Sequence, residues 1–164
     1  MTDEANRHAL CGSWALVSFE LRMPNGDLVY PYGREATGYL FYNEQGFMSA
    51  AFMGSERVAP QSADLADTAK NVNYDQFNAY CGRFDVHGDR IVHHVEVASL
   101  PQWCGLDQER IFKIDGDRLI LETPPLAINA QAPTGYLVWE RVGSRALPRR
   151  WPSSTAACGF PARA

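Results

Sequence analysis

Along this chain, apolar and polar positions alternate in short runs, the period of two that belongs to half-buried β-strands. Runs rich in β-branched and aromatic residues cover 13–22, 28–32, 37–43, 46–53, 79–87, 90–98, 107–115, 117–123 and 134–141. Turn signals separate them at Pro24-Asn25-Gly26-Asp27, Asn43-Glu44-Gln45-Gly46, His87-Gly88-Asp89 and Asp115-Gly116-Asp117. Short strands joined by tight turns predict an all-β antiparallel meander that closes into a barrel or sandwich. One segment breaks the period. From Ser62 to about Asn78, the apolar residues Leu65, Ala69, Val72 and Phe77 approximate helical spacing, with Ser62 as N-cap. This predicts a single helix over 62–78, lying across a barrel mouth or on its wall.

Turn chemistry then assigns faces. Taking Asp115-Gly116 as a two-residue type I′ loop pairs Ile114 with Asp117, Phe112 with Leu119 and Arg110 with Leu121. Phe112, Ile114, Leu119 and Leu121 form the core face, and Glu109, Lys113, Arg118 and Glu122 the outer one. Arg110 falls on the core face, where a charge is costly unless something answers it. Treating His87-Gly88 in the same way places Tyr80, Phe84, Val86, Ile91, His93, Val95 and Val97 inside. Arg83, Asp85, Arg90, His94 and Glu96 then point outward. A three-residue His-Gly-Asp loop would instead send His94 and Glu96 inward; the apolar count favours His93.

Two further strands leave choices. The pair 37–43 and 46–53 offers the interior either Leu40, Tyr42, Phe47 and Ser49, or Tyr39, Phe41, Met48 and Phe52. In the first strand Trp14, Leu16, Ser18 and Glu20 share one face, and Ala15, Val17, Phe19 and Leu21 the other. Periodicity alone prefers the second face as core.

Composition narrows the classes. A chain of 164 residues fits one domain with a proper core. With 19 acidic against 15 basic residues, and no basic run before the C-terminus, neither nucleic acid nor a membrane surface is an expected partner. The polar stretch Met1–His8 carries no secretory signal, and no apolar run is long enough to span a bilayer. Cys11, Cys81, Cys104 and Cys158 lack metal-ligand spacing, so a reduced, cytoplasmic protein with free thiols is expected. Cys81 and Cys104 have no identifiable activating base. No phosphate loop, metal cluster or nucleophile elbow is present, so neither cofactor nor metal is expected. From Gly143 the chain turns to Pro, Arg, Ser and Ala without periodicity, which predicts a flexible tail over 143–164 after a barrel domain in 1–142.

Gly12-Ser13-Trp14 on the first strand and Trp139-Glu140-Arg141 on the last resemble the lipocalin pattern. Several segments are more specifically similar to the lipocalin-like domain family: residues 14–20, Tyr30-Pro31-Tyr32-Gly33, residues 46–50 and Tyr80-Cys81-Gly82-Arg83-Phe84. His93-His94-Val95-Glu96, Pro101-Gln102-Trp103-Cys104-Gly105, Gln108-Glu109-Arg110 and Gly116-Asp117-Arg118-Leu119 extend the likeness, which covers about residues 9–142. The resemblance implies a calycin-type barrel with Trp14 at its closed end and Arg141 over the indole ring, a cation–π contact. Trp14 inward carries Ser18 and Glu20 inward too, overruling periodicity. The apolar outer face of 15–21 would then need cover, from the helix or from a second subunit in a homodimer.

The resulting constellation is Glu20, Tyr80, His93, Gln108 and Arg110 on an apolar cavity, with Trp103 at its rim. Phe84, Phe112, Ser49 and Tyr42 are further lining candidates. Each has a plainer reading. Arg110 could bridge Glu20 or Asp89, His93 could be a satisfied core histidine, Tyr80 a packed ring and Trp103 a loop anchor. The sequence favours a cofactor-independent enzyme of isomerase, cyclase or lyase type acting on a small, largely apolar molecule. Arg110 would stabilise an oxyanion or bind a carbonyl or carboxylate, and His93 or Glu20 would move a proton in a positioned substrate, with Tyr80 also counted among the catalytic candidates. The alternative is a non-catalytic binder or carrier of the same kind of molecule. A third reading, an interaction module, predicts a barrel filled by its own side chains.

Overall fold

Strands form where the alternation and turns place them. The structure is a computed structural model and describes residues 2–55, 76–126 and 132–143. A helix, α1 (Asp3–Leu10), precedes β1 (Gly12–Arg22), β2 (Leu28–Val29), β3 (Thr37–Tyr42), β4 (Phe47–Met53) and β5 (Phe77–His87). There follow β6 (Arg90–Ala98), β7 (Asp107–Asp115), β8 (Arg118–Glu122) and β9 (Thr134–Arg141). Every neighbouring pair is antiparallel, and β9 returns to β1, closing a barrel of eight strands; the two-residue β2 pairs with the end of β1. Among the described residues, closure leaves no long sheet edge exposed.

The two hairpin turns sit one residue later than the sequence reading put them. Asp115 pairs with Arg118 and Ile114 with Leu119, and in the other hairpin His87 pairs with Arg90 and Val86 with Ile91. The loops are therefore Gly116-Asp117 and Gly88-Asp89, and each register moves by two. A shift of two keeps every side chain on its face. Phe112, Leu119, Leu121, Arg110, Phe84, Ile91 and His93 are buried as expected, while His94 and Glu96 lie outside.

Between β3 and β4 the register runs Leu40 to Ala50 and Tyr42 to Met48. The interior takes Leu40 and Tyr42 together with Met48, Ala50 and Phe52, so neither expected grouping holds as a set. Tyr39, Phe41, Phe47 and Ser49 are on the outer surface.

Two β-bulges change faces midway along their strands. On β1, Leu16 pairs with Trp139 but Ser18 with Val138, leaving Val17 as the extra residue, 45% exposed. Below the bulge Trp14 and Leu16 face the core; above it Phe19 and Leu21 do. The expectation that Glu20 follows Trp14 inward is thereby corrected, and so is an unbroken apolar outer face over 15–21. On β6, Glu96 is the extra residue opposite Cys81 and Gly82, which turns Val97 out to 62% exposure and brings Ala98 onto the core. Gly82 is required there: a Cβ would collide with the His94 carbonyl oxygen.

The closed end is built around α1, into which the polar N-terminal stretch folds. Thr2 caps it through the Ala5 N–H (3.3 Å), with Asp3 and Glu4 in its first turn and Arg7 and His8 in its last. The Asn6 side chain donates to the Gly88 carbonyl at 2.7 Å, Asp3 accepts from the Gly88 N–H at 2.8 Å, and Arg7 donates to the Glu44 carbonyl at 3.1 Å. One helix thus pins two hairpin turns. Leu10 and Trp14 are fully buried beneath it, and the Trp14 indole N–H donates to the Leu10 carbonyl at 2.9 Å. Arg141 lies 4.0 Å over the Trp14 ring and donates to the Cys11 and Ala9 carbonyls at the helix C-terminus.

The expected helix over 62–78 falls outside the described residues as far as 75; beyond that, Phe77 and Asn78 open β5. The expected tail lies outside them from 144 onward. Cys11, Cys81 and Cys104 are free thiols.

On the outer wall, His94 joins three strands. Its Nδ1 meets Asp107 at 2.7 Å and its Nε2 meets Asp85 at 3.0 Å. The hydrogen bond to Asp107, then that to Asp85, raises the imidazole pKa above 6.5. The folded protein therefore binds the imidazole proton more tightly than the unfolded chain does, so the contribution is complete below pH 6.5 and is lost as pH rises through the raised value. We expect denaturant midpoints to fall as pH rises from about 6 to 8, and His94→Gln to flatten that slope.

Candidate functional site

At the end of the barrel opposite α1, the converging strands leave a cavity of about 220 Å³. Its walls are mainly apolar: Phe19 and Leu21 from β1, Leu40, Ala50 and Phe52 from β3 and β4, and Leu121, Leu137 and Trp139 from β8 and β9. Tyr32 and Phe19 stack at 5.6 Å, and Phe52 meets both edge-on at 5.1 and 5.7 Å, giving one wall an aromatic face. A short 3-10 turn, Pro101–Trp103, brings Trp103 to the rim, where its ring packs edge-on to Tyr80 at 5.6 Å. A wider polar groove beside α1, lined by Asp3, Arg7, Glu44 and Asp85 among others, lies outside the barrel.

Most polar groups of the cavity come from β5 and β7. Arg110 is buried, and its guanidinium folds back along β7 to donate to the Glu109 carbonyl at 2.7 Å and to Gln108 Oε1 at 3.3 Å. Both acceptors are neutral. Among the described residues no carboxylate lies within ion-pair distance of Arg110, and no Asp or Glu lines the cavity. Neither structural bridge considered from the sequence forms. Glu20 instead faces outward and pairs with Arg22 at 3.3 Å, while Arg22 lies over the Tyr136 ring.

Tyr80 also lines the cavity, and its hydroxyl lies 3.2 Å from His93 Nδ1. His93 is fully buried one layer deeper, and its Nε2 lies 2.7 Å from the Tyr42 hydroxyl. Burial, then Arg110, then His94 holds the His93 pKa well below 6.5, so the imidazole is neutral at neutral pH. Burial and the neighbouring Tyr80 raise the Tyr42 pKa above its ordinary 10, against an opposing pull from Arg110. Both tyrosines therefore bracket a neutral ring.

Of the residues singled out from sequence, the fold gathers Arg110, Tyr80, Gln108 and Trp103 around the cavity. His93 reaches it only through Tyr80. Tyr42, Phe84 and Phe112 belong to the packed core below, the Tyr42 and Phe84 rings 4.8 Å apart. Glu20 and Ser49 are corrected to the outer wall, the first by the Val17 bulge and the second by the β3–β4 register. The sequence reading missed Asn78, Thr123 and Trp139 in the cavity wall. Trp139 was visible in the alternation of β9; its indole N–H is buried without a hydrogen-bond partner among the described residues.

An up-and-down barrel sealed at one end, with a mainly apolar cavity and a few convergent polar groups at the other, is a small-molecule-binding barrel. The family described as lipocalin-like domain matches residues 11–142, and the chain belongs to it. It is also similar to the 4'-hydroxy-3'-methoxypropiophenone carrier protein ppsC of Aspergillus oryzae (strain ATCC 42149 / RIB 40). The two are 40% identical over 105 residues, which span 58% of this chain and 86% of that protein.

Proposed function

We propose that the chain binds a small, largely apolar molecule with one polar end in this cavity, as a binder or carrier. The observation that carries the reading is Arg110, a buried cation with no carboxylate within ion-pair distance among the described residues, in a mainly apolar chamber. A fold does not keep such a cost without return unless something outside the chain offsets it. The size fits one substituted ring, since a cavity of about 150 Å³ already takes up benzene. Similarity to a carrier named for an aromatic ketone supports the same class, and makes 4'-hydroxy-3'-methoxypropiophenone the first probe.

Calorimetry with that ketone is expected to show saturable binding that weakens at least about tenfold in Ala50→Phe, which fills the cavity from β4. Binding indifferent to Ala50→Phe would place the ligand elsewhere. Absence of binding by this ketone and by other single-ring ketones would overturn the reading.

Catalysis is the second reading, and one observation favours it: the Tyr80 hydroxyl in the cavity wall is joined to His93, a ready route for a proton. Prolonged incubation separates the two. A carrier returns its ligand unchanged, whereas an isomerase, cyclase or lyase converts it and loses turnover in Tyr80→Phe.

A further inference from the structure

The hydrogen-bonding capacity of the cavity wall is lopsided. Gln108 Oε1 accepts from Arg110, Asn78 Oδ1 from the Ser99 hydroxyl at 3.2 Å, and Thr123 Oγ1 from the Gly135 N–H at 2.8 Å. On the donor side stand the Arg110 guanidinium and Tyr80, whose hydroxyl is joined to His93. Among the described residues the wall carries one positive charge and no negative one. A neutral carbonyl could use the donors, but only an anion answers the charge as well.

We propose that the occupant is a compact aromatic compound bearing an oxyanion, a phenolate or a carboxylate, held against Arg110, with Tyr80 donating to the same group and His93 and Tyr42 fixing the direction of the Tyr80 proton. This rests on the cavity being the binding site, as argued above, and goes further in naming the charge of the ligand.

The direction of the proton follows from counting hydrogens. Neutral His93 carries one N–H, either on Nδ1 toward Tyr80 or on Nε2 toward Tyr42. An oxyanion in the cavity takes the Tyr80 hydroxyl hydrogen as its hydrogen bond. The Tyr80 oxygen is then left to accept from His93, so the ring proton sits on Nδ1, and Nε2 accepts from the Tyr42 hydroxyl. The chain of donation runs Tyr42 to His93 to Tyr80 to ligand. In the opposite tautomer Tyr80 spends its hydrogen on Nδ1 and offers the ligand only a lone pair, which an anion rejects. His93 and Tyr42 are thus positioning residues that act through Tyr80.

The test uses three nitro-substituted rings of similar shape: 4-nitrophenol, 4-nitrobenzoate and the neutral 4-nitroanisole. A cation within about 4–6 Å favours an acid's ionised form by roughly ten- to a thousandfold. Bound 4-nitrophenol should therefore show its phenolate absorption at a pH where the free compound is mainly the acid, and 4-nitroanisole should bind at least about tenfold more weakly. Arg110→Met should abolish both differences. Tyr42→Phe should move appearance of the bound phenolate to higher pH and change the His93 tautomer seen by nitrogen NMR of the loaded protein, effects that lost packing alone would not produce. Preference for 4-nitrobenzoate over 4-nitrophenol would make the group a carboxylate and still support an oxyanion. If 4-nitroanisole binds as well as 4-nitrophenol and the latter stays in its acid form, the inference is overturned while the cavity remains the binding site. Binding of none of the three while the ketone binds overturns this inference alone; binding of none of the three and of no ketone overturns both.

Discussion

Replacing Arg110 with Met should weaken ligand binding by about ten- to a hundredfold while leaving the empty barrel as stable as before, or more so. The first half follows from losing a charge-assisted hydrogen bond, about 1.5–3 kcal/mol at roughly 1.4 kcal/mol per decade. The second half follows from what Arg110 does in the empty protein. It donates only to Gln108 and to the neighbouring Glu109 carbonyl, and no carboxylate among the described residues loses its partner when the guanidinium goes. Met retains the apolar stem, so the cavity does not collapse. A structural role predicts the reverse signs: a less stable fold and little change in affinity. Denaturant unfolding of the unliganded variant beside calorimetry therefore decides the matter. A variant destabilised by several kcal/mol, with affinity intact, would return Arg110 to the scaffold.

The largest stability effect is expected at the other end. Trp14→Ala should cost about 3–5 kcal/mol, the range for deleting a fully buried large aromatic side chain. Several contacts go together: the indole bond to the Leu10 carbonyl, the Arg141 stack, and packing beneath α1. For a small domain this is a large part of the whole, since native stabilities run to only about 5–15 kcal/mol. Arg141→Met should cost less, because the indole still fills its site. A double-mutant cycle should assign about 0.5–2 kcal/mol to the Trp14–Arg141 pair itself. A coupling near zero would mean that Arg141 works only through the α1 carbonyls.

How much of this was legible depended on whether the signal was local. Both Asp-Gly and His-Gly turns were placed one residue early, yet Arg110 and His93 still landed on the correct face, because a register error of two is invisible to a side-chain period of two. The Val17 and Glu96 bulges left no such protection. An inserted residue alters neither composition nor propensity, so Glu20 and Val97 were read on the wrong side of the wall. Between β3 and β4 the longer connection through Asn43 and Gly46 fixes the register by hydrogen bonds between Asn43 and Phe47, which residue types alone do not announce. Helix α1 was readable in principle: Thr2 before Asp3 and Glu4, with Arg7 and His8 closing, is a capped and dipole-matched turn of helix. Arg141 over Trp14 came from family resemblance, since nothing local links the first strand to the last.

The Val17 bulge also divides β1 into two frames of alternation, one before it and one after. Residues up to Leu16 are keyed to the sealed base, and residues from Phe19 onward to the chamber. Exchanges at Phe19 or Leu21 can therefore reshape the ligand space without changing which side chains meet Trp14 and Arg141. Deleting Val17 would merge the frames into one regular alternation and leave Phe19 and Leu21 in the chamber and Glu20 outside, because the residue removed is the one the ladder already skips. A strand that took Val17 into the ladder would instead turn Glu20 inward, so the looped-out residue is what keeps that carboxylate out of the chamber.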